Sequence, residues 1–316
     1  MDLKDKFESY GFNYAAIDIG SNAVRLLIKH VEEDRNGKAT FSKVLLLRVP
    51  LRLGFDVFAM GKLSERKEKD MIRLMDAFQN LMKIYDVEDY RACATSAMRD
   101  AKNGKAIIKR IKKKTGINIE IIDGQEEAKM VYNNHIECME DRNGNYMYVD
   151  VGGGSTEINL LSQGELVCSR SYNIGTVRIL NKAVKSSEWE RLKTDMADIA
   201  KSYPGTNIIG SGGNINKIYR LVEKKDKKEQ KMPVEALHEL HDSLKVLSVE
   251  ERMEKYQLKP DRADVIVPAG EIFTTIADII HANYVYVPVI GLSDGIIDGL
   301  YAHHLEEEKA ALGGKV

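Results

Sequence analysis

Two short segments of the chain repeat one arrangement of an aspartate followed by a glycine turn. The sequence AIDIGSN occupies residues 16–22, and YVDVGGGS occupies residues 148–155. Each aspartate, Asp18 or Asp150, lies between apolar residues, and a second apolar run follows each turn. A carboxylate is a hard ligand for a divalent cation, and the backbone N–H groups of a glycine turn can converge on an anion. The pattern predicts a duplicated fold whose two halves hold a phosphate and a metal ion in the cleft between them.

Three glycine-rich turns are candidate phosphate-binding sites. None has the Gly-x4-Gly-Lys-Ser/Thr pattern of a P-loop, but the third leads into a predicted helix, whose N-terminus favours an anion. Arg25 lies beside the first turn, and a guanidinium suits a phosphate better than an ammonium does; a surface salt bridge is the alternative for it. The candidate phosphate-binding residues are Gly20, Ser21, Asn22, Arg25, Gly152, Gly153, Gly154, Ser155, Gly212, Gly213 and Asn214.

The elements that must hold these turns alternate between strands and helices, which is typical of an α/β fold. In the first half, apolar and β-branched runs predict strands, and helical periodicity predicts a helix over 64–85 and another from 125 to about 139. The second half repeats this order. The predicted strands are residues 14–19, 24–31, 41–49, 91–94, 117–122, 147–161 (as a hairpin), 165–173, 207–209 and 284–287, and later helices are predicted near 176–203, 215–222, 233–256 and 261–281.

Composition sets limits on the class of protein. The 316 residues are 43% hydrophobic, enough for two domains with their own cores. No apolar run approaches the roughly 20 residues needed to span a bilayer. The charged beginning and three widely spaced cysteines, Cys93, Cys138 and Cys168, indicate a cytoplasmic protein with reduced thiols. A net charge of -1 argues against general nucleic-acid binding, so that any attraction for anions must be local.

A basic helix is one place where such attraction can arise. Seven lysines and arginines occur between Lys102 and Lys114 without an acidic residue among them. Their helix is predicted either to guide a polyanion along its surface or, as the favoured interpretation, to present a solvated face.

Six segments in a fixed order carry a resemblance to a known family. They are IDIGSN at 17–22, TSAMR at 95–99, GQEEA at 124–128, DVGGGSTE at 150–157, GSGG at 210–213 and LSDG at 292–295. Together they resemble the exopolyphosphatase / guanosine pentaphosphate phosphohydrolase family, which belongs to the actin–hexokinase–Hsp70 ATPase-like superfamily. The resemblance implies duplicated ribonuclease H-like (actin-like ATPase) domains, with mixed five-stranded sheets flanked by helices and an active-site cleft between them.

The resemblance also implies roles for individual residues. Glu127 matches the family's catalytic glutamate, which activates water, although the adjacent Glu126 leaves some ambiguity. Arg99 matches an arginine that steadies the terminal phosphate. Asp150 and Glu157 match acidic positions associated with Mg²⁺ or Mn²⁺, and Asp18 is their symmetric partner. The expected activity is release of terminal orthophosphate from short inorganic polyphosphate.

Several alternatives stay open at this stage. Guanosine pentaphosphate is the nearest alternative substrate, a phosphotransferase of the same superfamily is another, and a non-catalytic sensor of polyphosphate or the alarmone is a third. Three positions depart from the family pattern: Ala23 lacks a hydroxyl, Asn214 replaces a threonine, and Asp123 adds a negative charge that is expected to raise the pKa of Glu127 or repel phosphate. The chain ends near residue 316, before a helical region of longer members, which favours short substrates.

The predicted domains are residues 1–130 and 131–316. The final helix, 294–310, is expected to pack back on the first domain, and a homodimer is possible.

Overall fold

The two repeated segments form hairpins in two mixed β-sheets. The computed structural model describes residues 11–34, 37–132, 143–288 and 291–313. Within them, the strands of the first sheet are β1 (Gly11–Ile19), β2 (Val24–Glu33), β3 (Ala39–Val49), β4 (Val87–Ala94) and β5 (Ile119–Ile121). Their order is β3-β2-β1-β4-β5, in which β1, β2 and β3 are antiparallel neighbours and β4 and β5 continue parallel to β1.

The second sheet repeats this topology and adds a strand. Its strands are β6 (Asn145–Val151), β7 (Thr156–Ser162), β8 (Glu165–Tyr172), β9 (Asn207–Ser211), β10 (Lys231–Pro233) and β11 (Tyr284–Tyr286). The order β8-β7-β6-β9-β11 matches the whole first sheet, and β10 pairs antiparallel at the outer edge of β11. The duplicated α/β architecture is confirmed, but the expectation of five strands in this sheet is wrong. Three residues that end in a proline give no alternating pattern, so the sequence does not reveal β10.

The helices of the first half include one that the sequence analysis did not predict. They are α1 (Leu53–Met60), α2 (Glu65–Ile84), α3 (Ser96–Asp100), α4 (Gly104–Thr115) and α5 (Gly124–Tyr132). The predicted helix over 64–85 corresponds to α2, where the Ser64 side chain accepts a hydrogen bond from the Lys67 N–H group at 3.3 Å. The eight residues of α1 are mostly apolar and carry no polar stripe, and therefore show no helical periodicity.

Three long helical stretches predicted in the second half, 176–203, 233–256 and 261–281, are each divided into two helices. The helices of this half are α6 (Thr176–Leu180), α7 (Ser186–Ser202), α8 (Gly213–Leu221), α9 (Val234–Lys245), α10 (Val249–Tyr256), α11 (Pro260–Ala263), α12 (Ile266–Ile280) and α13 (Leu292–Gly313). The stretch predicted over 233–256 is two helices, since Ser248 begins α10 with a capping box. No helix in the described ranges combines the length and the apolar character needed to cross a membrane.

The last helix, α13, lies against the first sheet. It packs on β1, β2, β4 and α5, where Leu292, Ile296 and Ile297 join an apolar cluster that contains Tyr14 of β1 and Tyr148 of β6. This cluster connects the two halves, while each sheet has its own larger core on its other face. The domain boundary near residue 130 falls within α5 and stays a prediction, because nothing in the structure assigns the domains independently.

Candidate active-site cleft

The Asp-Gly turns of the two halves meet at a cavity of about 510 Å³. Its walls come from the β1–β2 and β6–β7 hairpins, the end of β9, the first turn of α8, the region of α11 and the start of α13. Of the site residues expected from the sequence, those that line it are Asp18, Gly20, Ser21, Asn22, Arg25, Glu127, Asp150, Gly152, Gly153, Ser155, Gly212, Gly213 and Asn214. Arg99, Glu157 and Gly154 do not line it.

In both hairpins an aspartate is paired with one residue of the neighbouring strand, but the two partner residues have opposite charges. Asp18 on β1 is paired in register with Arg25 on β2, and Asp150 on β6 is paired in register with Glu157 on β7. In the first half, Arg25 Nη1 donates to Asp18 Oδ2 at 2.5 Å and neutralises the aspartate. In the second half, the same strand position carries a second carboxylate. The duplication therefore leaves the second hairpin as the one with uncompensated negative charge.

Three carboxylates lie together around the second hairpin; those of Glu127 and Glu157 are buried, and that of Asp150 is partly buried. Burial, with repulsion from Glu157 and Asp150, raises the pKa of Glu127 well above its ordinary value. Burial raises the pKa of Asp150 to about 6, although the nearby Arg25 lowers it. Burial and the charge of Asp150 raise the pKa of Glu157 to about 7. Such a group of acids is costly unless a cation or protons balance it.

Glu127 is the carboxylate best placed to act on water. It lies on the first turn of α5, is 9% exposed, and its Oε2 atom has no hydrogen-bond partner within the described residues. Its neighbour Glu126 instead points to Arg91, whose Nη2 donates to Glu126 Oε1 at 2.8 Å. The geometry thus separates the two glutamates, which the sequence left ambiguous.

Asp123 caps the N-terminus of α5, a role that was not predicted from the sequence. Its Oδ1 atom accepts hydrogen bonds from the N–H groups of Gln125 and Glu126, with nitrogen–oxygen distances of 2.9 and 2.8 Å. These bonds lower the pKa of Asp123. The extra carboxylate therefore caps α5, and the raised pKa of Glu127 has burial and other acids as its causes.

Arg99 lies behind the carboxylates rather than in the cavity wall. Its Nη1 atom donates to the carbonyl oxygen of Ile122 at 2.8 Å. Its positive charge acts to lower the pKa values of both Glu127 and Glu157. Arg99 was expected to steady the terminal phosphate. In the structure its charge instead favours the ionised forms of Glu127 and Glu157.

The second glycine turn makes a close contact between the halves. A Cβ atom on Gly154 would lie 2.3 Å from Ser96 Oγ and 2.9 Å from Ser21 Oγ, and one on Gly153 would lie 2.9 Å from Ser21 Cβ. Arg178 fixes the turn from the other side, since its Nε atom donates to the Gly154 carbonyl oxygen at 2.7 Å. Gly154, expected to bind phosphate, is instead used for this contact.

The third turn approaches the second hairpin equally closely. Gly212 has a φ of 99°, and a Cβ atom there would lie 2.9 Å from Asp150 Oδ1, so only glycine fits. Next to it, the Asn214 side-chain oxygen accepts a hydrogen bond from Arg262 Nη1. The asparagine that replaces a family threonine therefore positions a guanidinium at the cavity.

Two arginines that line the cavity were not identified from the sequence. Arg48 is paired in register with Arg25 across β2 and β3, and its Nη1 donates to Asp261 Oδ2 at 2.5 Å, joining the two halves beside the cavity. Arg48 could have been found from the sequence, because the register of the β2–β3 hairpin places it beside Arg25. No sequence feature indicated Arg262, because it lies in a four-residue helix far from the motifs. Burial and the positive charges of Arg48 and Arg25 lower the pKa of Arg262 to about 10.

The basic stretch from Lys102 to Lys114 lies apart from this site. All seven basic side chains are exposed, none lines the cavity, and Arg110 pairs with Glu68. This arrangement is that of a solvated helix face.

The carboxylates fit a divalent cation that the substrate helps to bind. No three His, Cys, Asp or Glu side chains within the described ranges form a complete metal-binding cluster. Mg²⁺ needs only one or two carboxylates in addition to phosphate oxygens and water. Asp150 lines the cavity and offers a hard oxygen there. Glu157 lies next to Asp150 but outside the cavity wall, and Asp18 is already paired with Arg25.

Two mixed sheets of the same strand order, with facing Asp-Gly turns at a common cleft, define the class of actin-like ATPase folds. Within that class, the chain belongs to the Ppx/GppA phosphatase family, whose model matches residues 30–304. A crystal structure of the Aquifex aeolicus member of the Ppx/GppA family has a TM-score of 0.72 and 27% identity, and the match covers 94% of this chain and 99% of that one.

Curated relatives match this chain over part of their own length. The bifunctional 3-dehydroquinate synthase/phosphatase of Fusobacterium nucleatum is 30% identical over 313 residues, which is 91% of this chain and 46% of the relative. Exopolyphosphatase 1 of Mycobacterium tuberculosis is 26% identical over 200 residues, which is 62% of this chain and 57% of the relative. The chain thus spans about half the length of these relatives.

Proposed function

We propose that this chain is a metal-dependent phosphohydrolase that releases terminal orthophosphate from inorganic polyphosphate. The observation that carries the proposal is the buried carboxylate of Glu127, whose Oε2 atom lacks a partner in the described structure and which borders a cavity with phosphate-binding turns on both sides. Membership of a phosphatase family and similarity to an exopolyphosphatase support the same chemistry.

Phosphoryl transfer requires positioning and neutralisation of negative charge more than covalent chemistry. In the proposed complex, the terminal phosphate lies in the cavity beside the turns at residues 20–22 and 152–153. The N–H groups of Gly20 and Gly152 close their own turns, so the proposed donors to the phosphate are the N–H groups that follow them. The guanidinium of Arg262 faces the same cavity and has no carboxylate bonded to it in the described structure. Its charge balances the phosphate.

Asp150 and Glu157 are the proposed ligands of Mg²⁺ or Mn²⁺. The bound ion would neutralise phosphate oxygens and also the group of buried acids. The hydrogen bond that Ser171 Oγ donates to Glu157 Oε1 at 2.9 Å orients this carboxylate from behind.

Glu127 is the proposed general base. Its carboxylate orients a water molecule toward the terminal phosphorus and accepts one of its protons as the new oxygen–phosphorus bond forms. The bond from phosphorus to the bridging oxygen breaks, and that oxygen leaves with the shortened chain. The proton passes from Glu127 to the products or to solvent, which restores the base. The charge of Arg99 partly opposes the rise in the pKa of Glu127 and so favours its ionised form.

A second candidate substrate, guanosine pentaphosphate, is favoured by the apolar part of the cavity. Leu27, Leu46 and Leu258 line it together with the polar residues, and Leu46 is 51% exposed. Polyphosphate offers nothing apolar to this surface, whereas a nucleoside can cover it.

The cytoplasm is the proposed location. The two cysteines that the structure describes, Cys93 and Cys168, are free thiols, as is usual in a reducing compartment. The homodimer stays a prediction, which the molecular mass in solution tests.

The test is phosphate release by the purified chain with Mg²⁺ from tripolyphosphate, long polyphosphate, guanosine pentaphosphate and ATP. Release from polyphosphate that disappears in Glu127→Ala supports the proposal. Release from the nucleotide alone assigns the second candidate. Transfer of phosphate to a co-substrate indicates a phosphotransferase. Binding without release by the wild type indicates a sensor and contradicts the proposal.

A further inference from the structure

A row of cations without acidic partners leads out of the cavity along α8. Lys217 and Arg220 lie on this helix, and Lys259 lies just before α11. All three line the cavity, and within the described residues none of their side chains forms an ion pair or a hydrogen bond. We call these three residues the cation stripe. Two other cations that line the cavity, Arg25 and Arg48, are each held by an aspartate instead.

Helical geometry aligns the stripe with the phosphate-binding turn. Gly213, Lys217 and Arg220 are at positions i, i+4 and i+7, which stack on one face of a helix. The row begins at the turn where Gly213 lies against the Arg262 guanidinium. From there to Arg220 the helix rises about 10 Å. The stripe therefore extends the positive charge of the proposed terminal-phosphate site outward by several phosphate groups.

The basic helix α4 provides a contrast. It carries more positive charge than α8, but none of its basic residues lines the cavity. Attraction between charges is screened beyond about 10 Å at ordinary salt concentrations. Position relative to the cavity, and not the number of charges, therefore selects α8 over α4.

We propose that the cation stripe binds a second run of phosphate groups, covalently continuous with the group that is hydrolysed. The inference rests on the proposed function, since it concerns the same cavity. In inorganic polyphosphate the second run is the remainder of the chain. In guanosine pentaphosphate it is the 3′-diphosphate. Both present the same chemistry, a row of anionic oxygens, to the three cations.

The first experiment compares KM values of Lys217→Gln/Arg220→Gln with those of the wild type. The matched control, Lys109→Gln/Lys112→Gln, removes the same charge from α4. We expect the KM for long polyphosphate to rise about fivefold relative to that for tripolyphosphate in the α8 variant, from two exposed charge interactions. The control should show no such change in the ratio. An unchanged ratio in the α8 variant, or an equal change in the control, overturns the proposal.

Two further measurements follow. One shows which substrate supplies the second run of phosphates, and the other tests binding to the stripe without hydrolysis. If the stripe receives a 3′-diphosphate, the α8 variant raises the KM for guanosine pentaphosphate more than that for GTP. Should the wild type hydrolyse nothing, the proposed function fails, but binding still tests the stripe. Equilibrium binding of labelled long polyphosphate should then be about fivefold weaker in the α8 variant and less sensitive to salt; equal affinity overturns the inference.

Discussion

Replacement of Glu127 by glutamine should move activity and stability in opposite directions. The substitution keeps the volume of the side chain but removes the charge and the ability to accept a proton. If Glu127 is the general base, we expect kcat to fall by about 10²–10⁴-fold. If it is only a buried structural acid, kcat should change little.

The stability effect follows from the surroundings of Glu127. In the folded chain, burial and repulsion from Glu157 and Asp150 raise its pKa, so that the folded state holds this proton more tightly than the unfolded state does. The ionised glutamate therefore destabilises the metal-free fold at a pH above its ordinary pKa of 4.5, and more so as pH rises toward its folded pKa. The neighbouring Asp150 indicates the scale, because a rise from 3.8 to about 6 corresponds to about 3 kcal/mol.

The assay is urea unfolding of both proteins in EDTA at pH 5 and pH 8, alongside phosphate release with Mg²⁺. We expect Glu127→Gln to be more stable than the wild type at pH 8, with a smaller difference at pH 5. Such a gain is expected where a functional site is strained by its own charges.

Glu126→Gln is the matched control. Glu126 lies one position away and shares an exposed ion pair with Arg91, which is worth at most about 1 kcal/mol. We expect near-normal kcat and slightly lower stability from it. Wild-type turnover by Glu127→Gln, or an equal loss of activity in Glu126→Gln, contradicts the assignment of Glu127 as the general base.

Two other outcomes test the packing and the cation site. Gly154→Ala should destabilise the chain by about 1–3 kcal/mol, because its Cβ atom would lie 2.3 Å from Ser96 Oγ. Gly299→Ala in α13, where a Cβ atom would have nothing within 4 Å, should instead stabilise it by up to about 1 kcal/mol. Thermal unfolding measures both changes, and an unchanged stability of Gly154→Ala contradicts the close contact. Mg²⁺ should raise the Tm more at pH 8 than at pH 5.5, since protons bound to Asp150 and Glu157, with pKa values of about 6 and 7, compete with the cation. An equal rise in the Asp150→Asn/Glu157→Gln variant argues against these ligands.

The sequence was sufficient for the duplicated framework. Strand hairpins around Asp18 and Asp150 follow from local apolar patterns that glycine turns interrupt, and local patterns can be read one segment at a time. The amphipathic helix α2 was predicted within one residue at each end because its cap and its apolar face are encoded in adjacent positions. The short edge strand β10 and the apolar α1 lack such a local signal.

The distribution of charge across the cleft was decided by tertiary structure. Asp18 and Asp150 have nearly the same local sequence, yet one is neutralised by Arg25 and the other stands beside Glu157. That difference requires the register of two strands. Likewise, Glu126 and Glu127 are adjacent in sequence, and only the direction of each side chain from α5 separates a surface ion pair from a buried carboxylate at the cavity.

Contacts between residues that are distant in the chain could not be predicted either, because they also depend on the tertiary structure. Arg262 reaches the cavity only because α11 folds against the turn that contains Asn214, and Gly154 is needed as glycine only because another half of the molecule presses against it. The sequence by itself determined which residue types and turns are available for phosphate chemistry, since these depend on neighbours along the chain. The tertiary structure decided which of them face one another, because burial, pairing of charges and close packing are properties of the assembled halves.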